Sequence, residues 1–128
     1  MDYSTASTDD IDSVVPEEYG GMWFFRGPLD CENLGITLLE LEPGGKGKHH
    51  AHAEDGQEEV YLVVGGEQAS DADETGEPEL TVRLGPEDDH EAEVTLGPGE
   101  AIRVSPETQR QLHNHSDGRV RVVIAGAP

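Results

Sequence analysis

A two-residue rhythm constrains this chain more than any other feature. The segment ELTVRLG (79–85) sets Leu80, Val82 and Leu84 against Thr81 and Arg83, and GRVRVVIAG (118–126) sets Val120, Val122 and Ile124 against Arg119 and Arg121. AEVTLG (92–97) alternates in the same way and stops at Gly97-Pro98-Gly99; LGITLLELE (34–42) ends at Pro43-Gly44-Gly45, and EVYLVV (59–64) ends at Gly65-Gly66. AIRVS (101–105) adds a short strand. Successive side chains on a strand point to opposite faces, so alternation broken by glycine and proline at short intervals predicts an all-β sandwich or barrel of two antiparallel sheets. No window carries a 3.6-residue apolar period, so almost no helix is expected.

One strand departs from the rhythm. Val60, Tyr61, Leu62, Val63 and Val64 are all apolar or aromatic, so both faces of that strand favour burial. One face packs inside the barrel; the other is expected to meet a second subunit, giving a homodimer. With 128 residues the chain supports one domain with one modest core. Residues 1–18 are acidic and aperiodic and read as a flexible N-terminal tail. Residues 19–128 form the barrel domain, starting near the aromatic run Trp23, Phe24 and Phe25.

Charge limits the partners. There are 28 acidic residues against 8 basic ones, a net charge of −20. That excludes binding to nucleic-acid phosphates or to an anionic membrane surface. No stretch reaches the roughly 20 apolar residues needed to cross a bilayer. The N-terminus lacks the basic flank and apolar stretch of a secretory signal. Cys31 is the only cysteine, which rules out an intrachain disulfide and fits a reducing cytoplasm. Acid recurs in every expected loop, which reads as a halophilic surface: self-repulsion at this density strains the compact state in dilute buffer, and salt screens it. A dedicated basic partner is the competing explanation.

The chemistry concentrates in GGKGKHHAHAEDGQEEVYLVVGG (44–66). His50 and His52 are two apart and share a strand face, and a hairpin through AEDG could return Glu59 to them. Two imidazoles and a carboxylate with open positions suit a divalent Fe, Mn or Zn ion. His90 lies in an acidic loop and reads as solvated. No Ser-His-Asp or Cys-His arrangement is present, and GGKGK lacks the features of a phosphate-binding loop.

The stretch resembles the first motif of the cupin superfamily, G-x5-H-x-H-x(3,4)-E-x6-G, with Gly44, His50, His52, Glu59 and Gly66 at the motif positions and a longer gap before the glutamate. The second motif, G-x5-P-x-G-x2-H-x3-N, is degraded. Gly99 and Asn114 match, but Ser105, Glu107 and Arg110 stand where proline, glycine and histidine are usual. The resemblance spans roughly residues 20–126 and implies a double-stranded β-helix, or jelly-roll, barrel. It implies one metal held by His50, His52 and Glu59, with Arg110 in the usual fourth-ligand place, and it points to a dimer.

Arginine keeps its proton and offers no lone pair to a metal. Arg110 could pair with Glu59, bind an anionic ligand, or yield its place to Gln111 or His113 through a bulge. Regular alternation puts Arg110, Leu112 and Asn114 inside and makes His113 and His115 surface residues. Arg110 and Tyr61 are the expected ligand-binding residues, and the ligand is expected to be a small anion. Two function classes stay open: a metal-dependent enzyme of dioxygenase, isomerase or decarboxylase type, and a non-catalytic small-molecule binding or sensing module.

Overall fold

The structure is a computed structural model, describing residues 1–67 and 78–128. Eight strands were found among them: β1 (Gly20–Phe24), β2 (Gly35–Leu41), β3 (Glu58–Glu67), β4 (Leu80–Leu84), β5 (Ala92–Leu96), β6 (Ala101–Val104), β7 (Arg110–His113) and β8 (Arg119–Ala127). A single helical turn, α1 (Arg26–Leu29), and two 3₁₀ turns complete the elements. The strands form a five-stranded antiparallel sheet in the order β1-β2-β8-β3-β6, facing a three-stranded antiparallel sheet in the order β5-β4-β7. The alternation and its turn punctuation are thus realised as two facing sheets. The aromatic segment adds a strand, β1, that the rhythm did not mark.

Inward residues make the core. Leu39, Leu41, Tyr61, Val63, Val120 and Val122 from the larger sheet meet Leu80, Val82, Leu96 and Leu112 from the smaller one. Burying each such side chain contributes roughly 1.5–3 kcal/mol. The two-faced strand β3 sits between β8 and β6. Tyr61 and Val63 are buried inside, while Val60, Leu62 and Val64 remain 36%, 37% and 45% exposed on the outer face.

The outer face of the larger sheet also carries a charged cluster. Glu40 is buried and lies opposite Arg121 in the register. Arg119 donates to its Oε1 at 2.7 Å and Arg121 to its Oε2 at 2.7 Å, while Arg119 also reaches Glu42 at 2.6 Å. The arginines of the alternating segment therefore neutralise an acid on the neighbouring strand.

One point differs from expectation. The segment before β3 joins the smaller sheet without forming a full strand: Lys46 bridges His113 and His50 bridges Arg110, so β7 has neighbours on both sides. For that reason His113, expected at the surface, is buried at 8% exposure. It does point to the outer face of its sheet, as alternation required, but strands on either side crowd that face; His115, past the end of β7, is exposed. Within residues 1–18, the Ser13 hydroxyl and the Val14 amide hydrogen-bond to the backbone of Met22 on β1, and most of the remaining side chains are exposed.

Candidate metal centre

His50 enters the barrel because its backbone pairs with that of Arg110, amide to carbonyl in both directions, at 2.9 and 2.8 Å. His52 follows on the same side, its amide held by the Pro106 carbonyl. The chain then turns through Ala53–Gly56, where the Gly56 amide bonds back to the His52 carbonyl at 2.8 Å. β3 brings Glu59 in beside both rings. Glu58 points out and pairs with Arg103 at 3.0 Å.

One nitrogen from each histidine and one Glu59 oxygen lie within 4.8 Å of one another. His50 Nε2 is 3.8 Å from Glu59 Oε1, and His52 Nε2 is 3.3 Å from Oε2. The outer nitrogens are already engaged: His50 Nδ1 with the Lys48 carbonyl at 2.9 Å, His52 Nδ1 with the Asp55 carboxylate at 3.0 Å. An acceptor on Nδ1 fixes the proton there and leaves the Nε2 lone pair facing inward, as partners of metal-bound histidines do. The donor set therefore fits a divalent ion: two imidazole nitrogens and one carboxylate, with further positions open. The added length between His52 and Glu59 carries Asp55. Sequence reading missed Asp55 because its role depends on the turn returning its side chain to His52.

Arg110 is fully buried and its guanidinium is occupied from below the site. Nε donates to the Tyr61 hydroxyl at 3.1 Å, Nη1 to the Thr108 carbonyl at 2.7 Å, and Nη2 reaches Glu59 Oε1 at 3.5 Å. Tyr61 in turn donates to Glu59 Oε1 at 2.5 Å. Of the alternatives for Arg110, the pairing with Glu59 describes its placement; the guanidinium lies beneath the carboxylate and does not line the cavity. Tyr61 does line it.

The protonation pattern follows from these contacts. Burial works to raise the Glu59 pKa, but the adjacent His50 imidazole, the hydrogen bond from Tyr61 and the nearby charges of His52 and Arg110 outweigh it and hold the carboxyl below its ordinary range. The adjacent Glu59 carboxylate raises the His50 pKa against the opposing effect of burial. Burial, then the bond to Glu59, push the Tyr61 phenol well above its usual value, so it remains a donor.

Above the three donors lies a cavity of about 310 Å³. His50, His52, Gln57, Glu59, Tyr61 and Lys48 are polar residues of its lining, and Met22, Phe24, Leu39 and Ile124 are apolar ones. The Gln57 side chain lies over Gly126, where a β-carbon would come within 2.8 Å of the carboxamide carbon and oxygen. Glycine there is what admits Gln57 to the wall; neither residue stood out in the sequence, since they meet only across paired strands.

No family model and no curated protein matches the chain in sequence. Solved structures match it in fold. A cupin protein from Bacteroides fragilis superposes with a TM-score of 0.69 at 16% identity, covering 99% of this chain and 85% of that one. A sugar phosphate isomerase from a cupin superfamily of Silicibacter pomeroyi gives 0.66 at 19% identity, covering 97% and 75%. Lactobacillus farciminis oxalate decarboxylase, in its formate complex, gives 0.69 at 15% identity; this chain is covered over 94% of its length but spans only 32% of the decarboxylase. The chain has the cupin fold, a double-stranded β-helix of two antiparallel sheets. That architecture surrounds two histidines and a glutamate converging at the mouth of a small cavity.

Proposed function

We propose that the barrel, residues 19–128, is a metal-binding module that takes a small anionic molecule in its cavity, with residues 1–18 as an appendage. The convergence of His50 Nε2, His52 Nε2 and a Glu59 oxygen within 4.8 Å carries this reading. His50, His52 and Glu59 hold one divalent Fe, Mn or Zn ion, and Tyr61 and Arg110 fix the carboxylate. Bound there, the metal supplies Lewis-acid charge at its open positions. The chain's own residues fix the two imidazole tautomers, keep Glu59 ionised, and shape the space in which a ligand lies. A dioxygenase- or isomerase-type reaction on a small anion is the activity this site suits, and two fold neighbours are a sugar phosphate isomerase and an oxalate decarboxylase.

Elemental analysis of untagged protein, with and without added Mn, Fe or Zn, tests the metal. We expect about one equivalent retained by the parent and none by the His50→Ala/His52→Ala variant at equal fold content. Equal retention by both would remove the assignment. A metal-free sensing module is the second reading. Tyr61 and Arg110 both occupying Glu59 Oε1 favours it, because they stabilise the carboxylate with no metal present. Arg110→His separates the two: under the metal reading it adds a nitrogen and tightens retention.

A homodimer across the outer face of β3 and a halophilic, cytoplasmic setting belong to the same proposal. The exposed apolar row Val60, Leu62 and Val64 supports the dimer. Light scattering at high salt should give twice the chain mass for the parent and the chain mass for Leu62→Glu. A parent of monomer mass would exclude the pairing.

A further inference from the structure

The cavity wall changes character along the strand register. On the inner face of the larger sheet, Tyr61 lies opposite Ile124, Ile124 opposite Thr37, and Thr37 opposite Phe24. The next row runs Val63, Val122, Leu39, Met22. With strands about 4.8 Å apart, Phe24 stands about 14 Å across the sheet from Tyr61. Polar groups belong to β3 and the segment before it: Glu59, Tyr61, Gln57 and the two histidines. Over β8, β2 and β1 the wall is aliphatic or aromatic, interrupted by the Thr37 hydroxyl. Phe24, half exposed at the rim, closes that end.

The lining also carries positive charge. Lys48 is one of only two lysines in a chain of net charge −20, and it lines the cavity two residues before His50. Arg110 is sealed beneath Glu59, so Lys48 is the lining residue with a permanent positive charge. The buried pair of Arg110 and Glu59 is neutral as a unit. A divalent ion added to it leaves the ion, Glu59 and Arg110 together with two net positive charges, where a third histidine in place of Arg110 would leave one. The metal centre draws an anionic head to the β3 end, and Lys48 adds positive charge to the lining.

Resting on the reading of this cavity as the ligand site, we propose that its ligand is an amphipathic carboxylic acid. The carboxylate lies at the histidine end, and a short aliphatic or aromatic body extends over Ile124 and Leu39 towards Met22 and Phe24. At about 310 Å³ the cavity sits at the small end of ligand sites, which suits a compact acid. A polyhydroxylated phosphate fits the same wall poorly. Its hydroxyls would lose water against Met22, Leu39 and Ile124 and find few partners, and an unpaired buried polar group costs more than a good contact returns.

The test is calorimetry on the full chain at constant high salt, metal-free and Mn-loaded, with acetate, butanoate, hexanoate, 3-phenylpropanoate and glucose 6-phosphate as probes. We expect affinity to rise by up to about fourfold per methylene from acetate to hexanoate. Hexanoate and 3-phenylpropanoate should bind at least tenfold more tightly than glucose 6-phosphate. Phe24→Ser, at an exposed rim position, should weaken hexanoate several-fold and leave acetate unchanged. Lys48→Gln should weaken every acid by a similar factor and keep the slope. A flat series, no binding of any acid in either form, or a preference for glucose 6-phosphate over hexanoate would overturn the proposal. The metal assignment fails separately: a slope that stands in protein retaining no metal removes the metal and keeps the acid, and a flat series in protein that retains one equivalent does the reverse.

Discussion

Arg110 shows how much a single residue depends on what surrounds it. Its charge is balanced by Glu59, its Nε by the Tyr61 hydroxyl and its Nη1 by the Thr108 carbonyl, so a fully buried guanidinium is tolerated. His113 is the contrasting case. It is buried, and its Nε2 finds no hydrogen-bond partner among the described residues. Burial, together with the positive charge of Arg83, His115 and Lys46, holds its pKa below the ordinary 6.5. A histidine with a depressed pKa in the folded state favours folding when neutral. Its stabilising contribution is complete above the unfolded pKa and is lost as pH falls through 6.5 toward the folded value. His50, whose pKa is raised, contributes with the opposite sign in metal-free protein. The comparison of parent with His113→Gln isolates the first effect, since His50 is common to both. Urea unfolding at about pH 7.5 and about pH 5 should show the parent losing more stability on acidification than the variant. An equal loss in both would mean that His113 is satisfied in solution.

At the scale of elements, β1 is held by a close approach that only glycine allows. Gly20 has φ of +119°, and a β-carbon there would lie 2.0 Å from the Glu40 carbonyl oxygen, which is backbone and cannot step aside. Gly20 opens the pairing of β1 with β2, opposite Leu41, and Met22 and Phe24 of the cavity wall hang on that strand. Gly20→Ala is therefore expected to cost at least about 2 kcal/mol and to loosen the cavity rim. Urea denaturation of the variant checks the first effect and hydrogen exchange at the β1 amides the second. A change within about 0.5 kcal/mol would show that β1 tolerates a shift in its entry.

For the whole molecule, charge dominates. A net charge of −20 on 128 residues repels itself, and only eight basic residues oppose it. Among the described residues five of those are paired with an acid: Arg119 and Arg121 with Glu40, Arg110 with Glu59, Arg83 with Glu93 and Arg103 with Glu58. The melting temperature should rise steadily as salt is raised from tens of millimolar, where the Debye length is about 20–30 Å, to molar levels, where it is about 3 Å. A flat or falling curve in a thermal scan would leave a basic partner as the better account of the acid.

Reading the chain in order was enough to establish whatever depends on neighbours in sequence. Period-2 alternation and turn punctuation located six of the strands, and the spacing of His50 and His52, with the resemblance that Glu59 and Gly66 complete, marked the candidate donor set. These are local properties: side-chain direction on a strand repeats every two residues whatever lies opposite. Tertiary structure decided what depends on strands meeting across the barrel. Arg110 stood in the right position of a degraded motif, yet only the pairing of β7 with the His50 segment and the return of β3 put its guanidinium under Glu59 and away from the cavity. Asp55, Gln57 and Gly126 acquired their contacts the same way, and His113 was buried by neighbours on both sides of it. Alternation tells a residue which face it takes; what covers that face is set by residues far away in the chain.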